Sequence, residues 1–197
     1  MWYNCLSEYL LKEGHQNNPI CPCVFIKKSQ SIFVIIALYV DDLNIIGTPE
    51  ELSKAIEYLK KEFEMKALGK TKFCIGLQIE YLADGIFIHQ STYTEKIFKG
   101  FYMDKAHPLN IPMVVRSLDA KNDIFRPQED NVELLGPEVS YLSAIGALMY
   151  LANNTIPDIA FSVYLLARYS SSPTKRHWNG VKHVLRYLRG TIGMGLF

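Results

Sequence analysis

The segment "ALYVDDLNII", residues 37 to 46, places two adjacent aspartates, Asp41 and Asp42, between two apolar runs of strand-forming residues. Neighbouring carboxylates repel each other, and a divalent cation offsets that repulsion, because Mg²⁺ binds carboxylates together with substrate phosphates. A pair carried by paired strands also has the rigidity that metal-assisted phosphoryl chemistry requires. The alternative is a simple polar turn, since Asp is a common turn residue. The long apolar flanks favour the metal site.

A second candidate site lies in the C-terminal segment "SPTKRHWNGVKHVLRYLRG", which predicts an amphipathic helix ending at Gly190. At about 100° per residue, four basic side chains fall within about 60° of one another on the helical wheel: Lys175, Lys182, Arg186 and Arg189. We call these four residues the basic stripe. Such a row of cations suits the phosphates of a nucleic acid. The sequence leaves open a second interpretation, the solvated face of an ordinary helix.

The elements that must position the aspartates are strands and helices in alternation. An opening helix ends near Gly14, and "CVFIKK", "SIFVIIALYV" and "LNIIG" predict three strands, which puts both aspartates at the bend between two of them. The segment "TPEELSKAIEYLKKEFEM" predicts a helix over that sheet. Thr48 is its expected cap, Pro49 occupies its first position, and Glu51 completes a capping box.

The rest of the chain changes from mixed to helical structure. The segment "KFCIGLQIEYLADGIFIHQ" predicts a hairpin that turns at Asp84-Gly85, and "STYTEKIFKGFYM" predicts a short helix. A proline-rich connection follows, and then three helices, the first of which, "YLSAIGALMYLA", is apolar nearly all round and should be buried. We therefore expect an α+β fold with a mixed region over 1–103, a connection over 104–136 and a helical region over 137–197.

Composition restricts the class of protein. The chain has 197 residues, of which 49% are hydrophobic and 21% charged, and this composition is typical of a globular protein. Its net charge of +1 gives no global signal for nucleic acid, so any such interface must be local. No apolar run reaches the roughly 18 residues of a membrane helix, and the four cysteines do not suggest a disulfide framework. We expect an intracellular chain that is not secreted and has no membrane partner.

The motif "YVDD", Tyr39 to Asp42, resembles the catalytic hairpin of reverse transcriptases. Further segments resemble the polymerase region of copia-type long-terminal-repeat retrotransposons and occur in that family's order: "MWYNCLSEYLLKEG", "CPCVFIK", "LYVDDLNIIG", "LGKTKFCIGLQIE" and the stretch from "YLSAIGALMY" to "VLRYLRGT". The ordered series covers essentially the whole chain, which makes the resemblance specific.

The resemblance implies a right-hand polymerase palm, an antiparallel sheet with helices, followed by a helical thumb. It implies that Asp41 is the firm ligand and Asp42 the second ligand of two Mg²⁺ ions, which activate the primer 3′-hydroxyl and stabilise the leaving pyrophosphate. Tyr39 and Val40 would line the primer terminus, and the hairpin from Phe73 to His89 would grip the primer. The last helix would follow the nucleic-acid backbone.

The resemblance also implies partners and a location. The partners would be an RNA template, a DNA primer and the remainder of a Pol polyprotein, and the location would be a cytoplasmic virus-like particle. The family carries fingers and a further catalytic aspartate on an earlier palm strand, and neither precedes Met1, while a ribonuclease H domain would follow "GLF". Ile156 stands where the family usually has arginine, and Cys5 stands where it usually has a basic residue.

We therefore expect a fragment with two of three metal-binding carboxylates that is inactive alone, as a truncated genomic copy or a partial gene model would be. Two other possibilities stay open. One is a non-catalytic nucleic-acid-binding relic, and the other is a decayed reading frame whose chain does not fold stably.

Overall fold

The chain forms two units, the first ending at Thr71 and the second beginning at Lys72. The structure, a computed structural model, describes residues 2–114, 123–126, 134–136 and 139–197. The remaining positions of the predicted connection over 104–136, and residues 137–138, lie outside the described residues. The functional division expected at residues 103 and 137 stays a prediction.

The first unit is an antiparallel sheet with two helices. The elements are α1 (Trp2–Lys12), β1 (Gln16–Asn17), β2 (Val24–Ser29), β3 (Ile32–Tyr39), β4 (Asp42–Gly47) and α2 (Pro49–Glu62). The strands pair in the order β1-β2-β3-β4. The predicted opening helix, the three predicted strands and the predicted second helix are confirmed.

Alternation along β3 builds the core of the first unit. Val34, Ile36 and Leu38 are buried, because successive side chains of a strand point to opposite faces and these three share one face. They pack with buried residues of the two helices: Leu6 and Leu10 of α1, and Ala55 and Leu59 of α2. Burying one face against helices leaves the opposite face of the sheet without a helical cover in this unit.

The start of α2 differs from the prediction in one respect. Thr48 is the N-cap residue and Pro49 takes the first helical position, as expected. The predicted capping box is not formed, because the Thr48 hydroxyl is buried with no hydrogen-bond partner among the described residues. Glu51 instead pairs with Lys54 at 2.7 Å. The lysine three residues along the helix competes for the carboxylate that the box needs.

The second unit combines a small antiparallel sheet with four helices. The elements are β5 (Phe73–Cys74), β6 (Leu77–Tyr81), β7 (Ile86–His89), α3 (Ser91–Gly100), α4 (Tyr141–Asn154), a 3-10 turn (Pro157–Ile159), α5 (Ala160–Ala167), α6 (Lys175–Gly190) and β8 (Gly195–Leu196). The strands pair in the order β5-β6-β7-β8. The α+β fold class is confirmed, with two antiparallel sheets and six α-helices among the described residues.

The predicted hairpin between Phe73 and His89 contains an additional turn. Ile75 and Gly76 both have positive φ, 49° and 74°, and Cys74 pairs with Leu77 across them. Two central residues with φ > 0 define a tight turn of the primed type. The chain therefore forms two consecutive hairpins, and the second turns at Asp84-Gly85 as predicted.

The helices α3 to α6 share one core. Leu148 and Leu151 of α4, Leu166 of α5, and Val184 and Leu185 of α6 are all fully buried. The prediction that "YLSAIGALMYLA" is buried holds for one side only, since Leu142 is 68% exposed. One side of α4 is therefore buried and another is exposed, although nearly all of its residues are apolar.

Candidate functional site

The two aspartates lie at the tip of the β3–β4 hairpin. Tyr39 pairs with Asp42, so that Val40 and Asp41 form a two-residue loop. Val40 has φ +53°, a left-handed conformation that is rare for a β-branched residue. Such an outlier costs on the order of 1–3 kcal/mol and is found where the surrounding structure enforces it, often at functional turns. The strands on either side therefore fix the tip in an unusual conformation.

The side chains at this tip are accessible. Asp41 and Asp42 are exposed, Val40 is 70% exposed and Tyr39 is 53% exposed. Among the described residues, neither aspartate takes part in a salt bridge. Two adjacent carboxylates thus face solvent on a hairpin that is anchored in a core through Leu38 and its neighbours. The structure brings together the four residues that the sequence analysis grouped at this site.

The donor set at the tip fits a hard cation in part. Mg²⁺ prefers carboxylate oxygens and commonly keeps several waters or substrate phosphates in its shell, so two carboxylates on one rigid turn have the required chemistry. Within the described ranges, however, no group of three or more His, Cys, Asp or Glu side chains could hold a metal ion.

The face of the first sheet that the helices leave uncovered extends from the aspartates. Pairing places Asp42 beside Tyr39 on that face, and Ile35 pairs with Ile46, which is 61% exposed. The described residues of β3 and β4 on this face are Phe33, Ile35, Ala37, Tyr39, Asp42, Asn44 and Ile46. The carboxylate of Asp42 therefore lies at the end of an accessible, mainly apolar surface.

The basic stripe lies on α6, in the second unit. Lys175, Lys182 and Arg189 are exposed. The Lys182 ammonium lies 5.8 Å from the centre of the Trp178 ring, and the Arg189 guanidinium lies 5.7 Å from that of Phe98. These aromatic rings hold the two cations by cation–π attraction without neutralising them.

Arg186 differs from the other three residues of the basic stripe. Its Nε donates to the His107 carbonyl at 2.8 Å, and the Arg186 carbonyl accepts from the Leu109 N–H at 3.1 Å. Arg186 thus fastens the segment after α3 along α6. Its guanidinium has a structural contact, and the exposed cations of the stripe are the other three.

His177, at the start of α6, has a purely structural arrangement. It is fully buried and stacks on Tyr169, and its Nδ1 accepts from the Thr174 N–H at 3.0 Å. Burial lowers the pKa of His177, and the positive charge of Arg176 lowers it further. The sequence carries no signal for this capping box, because histidine is not one of the usual third-position partners of such a box.

A chain of hydrogen bonds in the second unit was also not anticipated. His89 is 6% exposed, its Nε2 lies 3.1 Å from a Glu80 carboxylate oxygen, and its Nδ1 lies 2.7 Å from the Ser91 hydroxyl. Ser91 in turn donates to the Ile192 carbonyl at 2.8 Å. This chain ties the start of α3 to the segment before β8, and the spacing of these residues gave no signal for it.

None of the helices in the described ranges is long and apolar enough to cross a membrane. No solved structure matches the chain.

Known proteins resemble this chain over its whole length. It is 34% identical over 98% of its length to the retrovirus-related Pol polyprotein from transposon TNT 1-94 of Nicotiana tabacum. It is 30% identical over its full length to the Pol polyprotein from transposon RE2 of Arabidopsis thaliana, and 29% identical to that from transposon RE1 of the same plant. The chain spans 15% of the tobacco polyprotein and 13% of each Arabidopsis one.

The family model described as "Reverse transcriptase (RNA-dependent DNA polymerase)" matches residues 1–115, a range that includes the β3–β4 hairpin and both aspartates. The Pol relatives extend the similarity through α6. The chain therefore belongs to the reverse transcriptase family.

Proposed function

We propose that this chain contributes the metal-binding hairpin and the primer-side elements of an RNA-directed DNA polymerase. The observation that carries the proposal is the exposed Asp41–Asp42 pair on a strained, core-anchored turn within the residues that match the family. The first unit is the palm portion in this proposal. The helical part of the second unit acts as the thumb.

Asp41 and Asp42 would hold Mg²⁺, with Asp41 as the firmer ligand. When bound, the metal would supply activation of the primer 3′-hydroxyl and stabilisation of the leaving pyrophosphate. The chain itself contributes position: the fixed turn keeps both carboxylates on the accessible side of the tip. Tyr39, on the same face as Asp42, and the exposed Val40 would contact the primer terminus.

The substrate would be an RNA template paired with a DNA primer. The exposed cations Lys175, Lys182 and Arg189 support contact with its phosphates, since such contacts supply most of the affinity for nucleic acid. Arg186 would assist mainly by fastening the neighbouring segment to α6. The hairpins between Phe73 and His89 would hold the primer strand.

The remainder of a Pol polyprotein is the other proposed partner. The described residues supply two adjacent carboxylates and no third ligand, so we propose that the chain alone does not extend a primer. The third ligand and the nucleotide-binding elements would come from the rest of the polyprotein.

Primer extension on an RNA template with Mg²⁺ tests this function. The chain is assayed alone and joined to the upstream segment of the tobacco relative, in wild-type form and with Asp41→Asn. We expect activity only in the joined protein, and a loss of about a hundredfold or more in the variant, since the metal ligand acts on the transition state.

Asp104→Asn is the matched control, because Asp104 is an exposed aspartate outside the β3–β4 hairpin and outside the hairpins between Phe73 and His89. It should leave extension unchanged, and binding of an RNA/DNA duplex should be nearly unchanged in both variants. Extension by Asp41→Asn at the wild-type rate would refute the catalytic assignment. If the chain binds the duplex but neither the chain alone nor the joined protein extends the primer, a non-catalytic nucleic-acid-binding relic is favoured.

A further inference from the structure

A cleft lined in part by arginine side chains lies beside α6, apart from the basic stripe. Its volume is about 530 Å³. Four of its lining residues have polar side chains, Arg126, Arg176, Asn179 and His183, and Phe125 and Ile124 form part of its apolar wall. None of the described residues that line it is acidic.

The guanidinium of Arg176 is the unusual feature of this cleft. Its Nε and Nη2 are both shielded from solvent and have no hydrogen-bond partner among the described residues. Arg176 as a whole is partly buried, so the cost falls on these two donors. A buried donor without a partner is costly. Arginine stays charged in proteins, so the side chain cannot avoid this cost by losing a proton. The side chain is therefore prepared for an anion that supplies acceptors.

Asn179 adds a donor on the same side of α6 as Arg176. Asn179 and His183 follow Arg176 at i+3 and i+7, which places all three on one side of α6. His183 is oriented by its Nε2, which lies 3.1 Å from the Ile111 carbonyl. Asp123, a buried carboxylate on the segment of Arg126, accepts from the Phe125 N–H at 3.0 Å and does not line the cleft.

We propose that this cleft is a binding site for a phosphate group, with Arg176 as its main ligand and Asn179 as a further donor. Arginine is the side chain best suited to phosphate, because its planar donors match two phosphate oxygens at once. The phosphate belongs either to the backbone of a nucleic acid or to a free phosphate compound. The site is independent of the catalytic assignment, since it involves neither aspartate of the first unit.

Inorganic phosphate is the first probe. The full chain is titrated with phosphate at constant ionic strength while the Arg176 Nε–H resonance and the thermal midpoint are followed. We expect the resonance to shift and the midpoint to rise with phosphate concentration, as linkage requires for a ligand of the folded state. Arg176→Gln should weaken phosphate binding by about tenfold or more, since it removes a charge-assisted bidentate contact.

Two variants keep the test decisive. Arg168→Gln removes one positive charge from an exposed position outside the cleft and should bind phosphate as the wild type does. Asn179→Ala removes an exposed donor without touching the core, so it reports on the cleft even where Arg176→Gln folds poorly, and it should weaken binding severalfold. Equal phosphate binding by the wild type and by both cleft variants would overturn the proposal.

The source of the phosphate is decided by competition. If an RNA/DNA duplex displaces phosphate from the wild type, and Arg176→Gln weakens duplex binding, the cleft takes a backbone phosphate. If phosphate binds and the duplex does not displace it, the ligand is a free phosphate compound. Both outcomes are independent of primer extension, so failure of the catalytic assignment leaves this result unaffected.

Discussion

At the scale of single residues, the surroundings of His15 in the first unit change its pKa. It is 3% exposed, its Nε2 lies 2.6 Å from the Tyr58 hydroxyl, and its Nδ1 has no hydrogen-bond partner among the described residues. Burial, followed by the positive charge of Lys27, lowers the pKa of His15 to about 4. Burial is also the main cause that raises the pKa of Tyr58 to about 12. Both groups are therefore held neutral.

The lowered pKa predicts an acid-sensitive first unit. In the unfolded chain His15 binds a proton below about pH 6.5, whereas in the folded chain it does so only below about pH 4. Because the unfolded state takes up the proton first, the stability that neutral His15 contributes is lost as the pH falls through this window. From pH 7 to pH 5 the expected loss is about 2 kcal/mol. Urea unfolding followed by Trp2 fluorescence measures it.

His15→Phe is the companion variant for this measurement. His15 is the single histidine before Thr71, so the variant removes the one histidine titration of that unit. In the variant, the difference in unfolding free energy between pH 7 and pH 5 should be much smaller than in the wild type. An equally large difference in both proteins would mean that other groups cause the acid sensitivity.

At the scale of elements, α6 carries exposed cations that are available to a ligand, whereas Arg186 already contacts another segment of the chain. Replacing Lys182 and Arg189 with alanine should reduce the salt dependence of duplex binding. The slope of log binding constant against log salt concentration should fall in magnitude by about two, because a phosphate that loses its protein contact keeps its counterions. Fluorescence anisotropy with an RNA/DNA duplex at several salt concentrations measures this slope. Arg186→Ala should instead lower stability, because its guanidinium bonds the His107 carbonyl.

Arg168→Gln is the control for this series, since Arg168 is exposed and does not lie on α6. Its slope should equal that of the wild type. If the double variant of Lys182 and Arg189 has the same salt slope as the wild type, the basic stripe is an ordinary solvated helix face and does not contact phosphates.

The elements also show how far the sequence could predict this fold. Apolar runs of strand-forming residues located β2, β3 and β4 and hence the bend at the aspartates. In the predicted hairpin from Phe73 to His89, period-2 alternation concealed the turn at Ile75-Gly76. A two-residue turn preserves the even spacing of Phe73, Ile75 and Leu77, so alternation continues through it unchanged. Gly76 was the one local signal, since glycine adopts positive φ without strain.

Features of the candidate sites that depend on side-chain competition could not be predicted. The Thr48–Glu51 box has the right spacing, but Lys54 takes the carboxylate. The cleft around Arg176 requires the segment 123–126 to lie against α6, a long-range contact that no local pattern encodes. Residue type and spacing therefore identified the aspartates and the stripe, whereas partners distant in sequence decided which cations stay available.

At the scale of the whole molecule, each unit contains its own core. The buried residues of one cluster run from Leu6 to Leu59, and those of the other from Ile97 to Leu188, on opposite sides of the division after Thr71. A tryptophan lies in each unit: Trp2 contacts Phe63 edge-on, and Trp178 packs near Phe101. Separate cores predict separate unfolding transitions, each with its own fluorescent reporter.

Gly47→Ala tests this independence. A Cβ there would lie 2.6 Å from the Phe33 carbonyl oxygen, so the β3–β4 pair must move apart, at a cost of about 2 kcal/mol. Urea unfolding of single-tryptophan variants should then show an earlier transition from Trp2 and an unchanged one from Trp178. Gly146→Ala, at an exposed helical position with open space around it, should raise only the Trp178 transition, by about 1 kcal/mol. Shifts in both reporters from either change would show that the two units unfold as one.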